Sequence, residues 1–158
     1  MIDEPSWLEK TRGYIDIGML DEASREIENL PTDQRVSAEA LEMQIVITIL
    51  KKDLGAALVI CEALAEQHPE KHAGYIQGAY CLHASGKSQD AIDFLQSGPK
   101  SLLDEPVYFY NLACYEVAMD RNQAALTWLN QSIEMKPANR QMALKDPDLK
   151  PIRSDILP

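Results

Sequence analysis

Apolar side chains recur along this chain at the three-and-four spacing of amphipathic helices. The pattern predicts four helix pairs, at about 5–17 and 21–30, 37–51 and 54–67, 71–85 and 88–97, and 106–118 and 122–135. A small residue stands near the start of each second helix: Ala23, Ala57, Ala91 and Ala125, each 34 residues after the last. Sixteen residues before each alanine comes a large apolar side chain, Trp7, Leu41, Tyr75 or Phe109. Four residues after it comes another, Ile27, Cys61, Leu95 or Leu129. Five residues before it lies a turn position, held by Gly18 and Gly86 but by Lys52 and Asp120 in the other two copies.

A constant period of this kind is the mark of stacked units that bury their apolar faces on one another. The alanine falls where two helices cross closely, and a larger side chain there would overpack by roughly 1–3 kcal/mol. Pro69 and Pro137 close the second and fourth units, since proline cannot continue a helix. Leu30-Pro31 and Gly98-Pro99 end two second helices early, so longer, irregular connections are expected there. Asp21 is placed to cap the second helix.

Composition agrees with helices. Apolar residues make up 46% of the 158-residue chain and aromatics only 6%, so the core is built from Leu, Ile, Ala and Val. The net charge is −10, and residues 1–50 hold 11 acidic against 4 basic side chains. Without a basic stripe the chain lacks the electrostatic footprint of a nucleic-acid binder. Three cysteines, Cys61, Cys81 and Cys114, form no CxxC and no even set, which points to a reducing, cytoplasmic setting. The start "MIDEPSWLEK" has no apolar leader core, and the run "IVITIL" is far too short to span a membrane.

The period, and the wording of the fourth copy in particular, "YNLACYEVAMDRNQAALTWLNQSIEMKP", resembles the tetratricopeptide repeat (TPR). The resemblance implies an all-α solenoid of antiparallel helix pairs, a TPR superhelix. It would form one domain over 1–158, with repeats near 4–37, 38–71, 72–105 and 106–139 and a closing segment over 140–158. The tail "ANRQMALKDPDLKPIRSDILP" resembles the closing segment of many bacterial TPR proteins. Met142 and Leu144 are expected to cover the last repeat, with Leu149 and Ile152 anchoring the extended part.

In that family the first helix of each pair lines a concave groove that takes a peptide or partner helix. Carried over, the groove residues are Leu8, Arg12, Glu39, Glu42, Val46, Ile49, Ile76, Tyr80, His83, Tyr110, Cys114 and Val117. The surface is apolar in the middle and acidic at one end. Arg12 and Asn111 alone do not make the basic cluster that clamps carboxylate tails. The expected function is therefore non-catalytic binding of an apolar helix or extended peptide, of protein origin, with any basic end toward Glu39 and Glu42. The rival occupants are the chain's own tail and a second copy, the latter giving a homodimer or larger scaffold. A secretion-type TPR chaperone is a further reading, although those usually carry three repeats and an N-terminal dimerisation helix.

Catalytic readings have less behind them. His68 and His72 stand four apart, but Pro69 interrupts any helix between them and no third metal ligand follows. "DPDLKP" has Pro151 and Leu157 where a calcium loop needs Gly and Glu. Cys114 faces the groove without a visible activating group. No cofactor and no enzymatic activity are expected. Glu116 falls where the earlier repeats carry Tyr14, Thr48 and Leu82. It must be paired, or turned to solvent while Tyr115 packs, and the second arrangement is the cheaper for a carboxylate.

Overall fold

In the computed structural model, residues 6–156 are described, and every regular element among them is helical. The chain forms two compact units, Met1–Cys81 and Leu82–Pro158. The first holds α1 (Ser6–Asp16), α2 (Leu20–Glu28), α3 (Thr32–Arg35), α4 (Ala38–Leu50) and α5 (Leu54–Gln67). Helix α6 (His72–Ala84) carries the last residues of the first unit and the first of the second. The second unit continues with α7 (Ser88–Gln96), a 3-10 turn (Lys100–Asp104), α8 (Pro106–Ala118) and α9 (Asn122–Met135). It ends with α10 (Asn139–Ala143) and a 3-10 closing segment (Pro147–Asp155). The eight long helices fall within two residues of the periodicity's expectation.

The four alanines of the period are fully buried, as are Cys61, Leu95 and Leu129, with Ile27 nearly so. In the first unit Ala23, Ile27, Ala40 and Ile47 form one cluster, against which Trp7 and Tyr14 pack. Ala38, Leu41, Ile45, Cys61 and Leu64 form another. In the second unit α8 packs against α7, α9 and the closing segment, which is why its residues from Leu112 to Val117 are all buried. Phe109 meets Trp128 with ring centroids 5.9 Å apart.

All four turn positions take the left-handed conformation, with φ 76° at Gly18, 63° at Lys52, 81° at Gly86 and 58° at Asp120. The turn geometry is thus common to every repeat, even where a side chain makes it costly. Side chains cap the starts of α4 and α5. Ser37 Oγ accepts from the Ala40 amide at 3.3 Å, and Asp53 Oδ1 from the Ala56 amide at 3.0 Å.

Two expectations are corrected. Asp21 does not cap α2: Met19 holds the capping position, and Asp21 lies in the first turn. There its carboxylate pairs with Lys51 Nζ at 2.8 Å, which holds its pKa below the usual carboxylate value. The connections after Leu30 and Gly98 are not irregular either. Pro31 and Pro99, in extended conformation, lead into α3 and the 3-10 turn, because a proline suits the position just before a helical turn.

Candidate protein-interaction surface

Position nine of each repeat holds Arg12, Val46, Tyr80 and Cys114. In the first unit this position is open: Arg12 is exposed, Val46 is 36% exposed and Tyr80 44%. Around them Ile49 and Ile76 are half-buried, Glu39 is exposed and Glu42 half-buried. Leu8, expected beside them, is buried instead. Helix α4 explains much of this surface. Its sequence AEALEMQIVITIL is apolar nearly all round, so Ile45 and Ile47 fill the core while Val46 and half-exposed Leu50 are left over.

In the second unit the same position is closed, and Cys114 is only 6% exposed. Tyr110 and Val117 are buried with it. The closing segment packs on α8 and α9 and buries Leu149 and Ile152 completely, as their apolar character suggested, but it is a 3-10 helix rather than extended. Met142 does not cover the repeat: it is half exposed, and the small neighbouring Ala143 is the buried residue of α10.

Asp146 organises this closure. Its Oδ1 accepts from the Asp148 amide at 2.9 Å and so caps the 3-10 segment. Its Oδ2 accepts from the Tyr110 hydroxyl at 2.8 Å. Its backbone carbonyl accepts from Arg153 Nη2 at 3.1 Å. Burial, and then the hydrogen bond to Asp146, raise the Tyr110 pKa well above its ordinary value. His83 belongs to the same neighbourhood, with Nδ1 3.0 Å from Ser88 Oγ and Nε2 3.9 Å from Asp148. Its ring lies 4.7 Å from that of Tyr115. In the sequence the run DPDLKP stood out only as a failed calcium loop, which shows neither this cap nor the tyrosine that Asp146 reaches.

Glu116 reverses the expectation that it turns to solvent. It is buried, and Oε2 accepts from Arg121 Nη1 at 3.3 Å. Arg121 also donates from Nη2 to Gln89 Oε1 at 2.7 Å.

Burial pushes the Cys61 thiol up to about 12 and raises Cys81 and Cys114 as well, so each is held as a poor nucleophile. His68 ends α5 and donates from Nε2 to the Val36 carbonyl at 3.2 Å, whereas His72 opens α6. Among the described residues no three His, Cys, Asp or Glu side chains are grouped to hold a metal ion. Nor is any described helix long and apolar enough to cross a membrane.

No family model matches the chain, and no curated protein does. Solved structures do match. TTC0263, a thermophilic TPR protein of Thermus thermophilus, superposes with a TM-score of 0.69 at 17% identity, over 95% of this chain and 79% of that one. A double mutant of MamA (RS-1) reaches 0.71 at 12% identity, over 96% and 91%. YrrB, described as a TPR protein with an unusual peptide-binding site, reaches 0.68 at 16% identity, over 83% and 68%. At these identities the likeness establishes the fold: this is an all-α solenoid of the TPR type.

Proposed function

We propose that this TPR-fold chain is a non-catalytic protein-interaction module, and that the first unit carries its working surface on α1, α4 and α6. The observation that supports this is the contrast at position nine. In the second unit the closing segment, anchored by Leu149 and Ile152, packs on α8 and Cys114 is buried, whereas Val46 and Tyr80 at the matching positions are exposed. The occupant is an apolar helix or an extended peptide, as YrrB's description as a peptide binder also suggests for this fold. Its basic end would meet Glu39 and Glu42. Tyr110, Cys114 and Val117 take no part while the closing segment is in place.

Affinity capture from the source cell with wild-type, Val46→Glu and Tyr80→Glu proteins tests the surface. Loss of the captured partner at unchanged helicity supports it; capture equal to wild type rejects it. Light scattering on the same three proteins distinguishes the alternative, a self-associating scaffold, in which the wild type alone would form dimers.

A further inference from the structure

Residues 68 apart hold the same place in alternate repeats, as Gly18 and Gly86, Lys52 and Asp120, and Pro31 and Pro99 show. Each unit is therefore an internal control for the other at the junction that follows the proline. In the second unit the chain fills this junction itself. Leu102, on the 3-10 turn that packs against α8, is 1% exposed, and the space left beside it is about 140 Å³.

In the first unit Leu102 is matched by Gln34, which is exposed. The junction there is a cleft of about 530 Å³ with an apolar floor of Ile27, Leu41, Ile47 and Ile60. The size of its lining side chains explains the difference in volume. Ser24, Ile47, Thr48 and Ile60 line the cleft, whereas the matching positions in the second unit carry the larger Ile92, Tyr115, Glu116 and Trp128. Helix α3, at the rim, is tethered where it stands. Gln44 Nε2 donates to the Arg35 carbonyl and His68 Nε2 to the Val36 carbonyl, both at 3.2 Å.

Two hydroxyls in the walls are already satisfied within the chain, while the Glu28 carboxylate also lines the cleft. Thr48 Oγ1 donates to the Gln44 carbonyl at 2.6 Å, and Ser24 Oγ donates to the Leu20 carbonyl at 3.0 Å while accepting from Lys51 Nζ. An apolar group seated on the floor would leave both hydroxyls their partners, and it would remove apolar floor from water. We infer that this cleft is a second docking site, whose occupant is a leucine-sized side chain on a short helical turn of a partner protein. It would do for the first unit what Leu102 does for the second. The cleft shares no residue with the Val46–Tyr80 surface, so the two readings stand or fall separately.

The test uses the full chain, labelled with nitrogen-15, and the peptide SGPKSLLDE, which copies residues 97–105 with blocked ends. The expected result is amide shifts at Ile27, Gln44, Thr48 and Ile60 at low-millimolar peptide. Replacing the peptide's first leucine, the copy of Leu102, by alanine should weaken binding roughly tenfold. Ser24→Ile and Ile60→Trp, which copy the second unit's walls, should each abolish the shifts, and either variant with wild-type helicity suffices. The inference is overturned by three results: no shifts at these amides, equal response to the alanine peptide, or shifts confined to the Val46 and Tyr80 region. It is equally overturned if these amides shift with protein concentration alone, since a second copy would then be the occupant.

Discussion

Glu116 and Arg121 form an ion pair of 3.3 Å across the left-handed turn that joins α8 to α9, the carboxylate buried and the guanidinium nearly half in water. Arg121→Ala should strand the carboxylate and destabilise the fold by about 1–2 kcal/mol, discounted from the full buried-pair value because the arginine is exposed. Adding Glu116→Gln should recover much of that loss. Urea midpoints of the three proteins measure it, and equal midpoints for the single and double variants would mean that the pair matters little.

Lys52 and Asp120 occupy a backbone region in which glycine carries no penalty. Lys52→Gly is expected to stabilise by about 0.5–1 kcal/mol, and Asp120→Gly by less, because aspartate tolerates this region better than lysine. Gly18→Ala and Gly86→Ala should each cost about 1 kcal/mol, although open space surrounds both, so the loss is conformational alone. Denaturant unfolding of the four variants gives the signs directly.

Removing the apolar anchors of the closing segment should uncover one thiol selectively. Leu149→Ala and Ile152→Ala each delete a fully buried side chain, at about 2–4 kcal/mol. In the double variant Cys114 should react with a disulfide reagent well before Cys61 and Cys81, which lie in the first unit. Mass spectrometry of the labelled peptides reads the order. Uniform labelling of all three would show that the whole fold had opened instead.

Raised thiol pKa values make stability depend on alkaline pH. Buried Cys61 holds its proton to about 12, whereas an unfolded cysteine loses it near ~8.5. The contribution is therefore complete below the unfolded value and is lost as pH rises from there toward the folded one. Melting temperatures measured from about pH 8 to about pH 10 should fall, with a shallower slope in Cys61→Ala. Parallel slopes would remove the thiol as the cause.

The helix pairs were legible because one number, the spacing of Ala23, Ala57, Ala91 and Ala125, repeats without error, and close crossings tolerate nothing larger. Burial of Leu149 and Ile152 was legible for a different reason, since they are apolar side chains in a polar tail. What escaped were contacts made around turns. Glu116 meets Arg121 only because the chain reverses at Asp120, and reasoning by helix faces never joins residues on the two sides of such a turn. Tyr110 meets Asp146 from 36 residues away, and Asp146 lies in the closing segment, which has no counterpart among the repeats. Leu102 looked like loop, since a 3-10 turn is too short to show a stripe.

The chain contains two tryptophans, and the fold places one in each unit: Trp7 against the Ala23–Ile47 cluster and Trp128 against Phe109. Each unit therefore carries its own intrinsic fluorophore. Trp7→Phe and Trp128→Phe would turn the molecule into a pair of single-colour reporters. Their emission during unfolding would resolve whether the two units melt as one cooperative body or in succession.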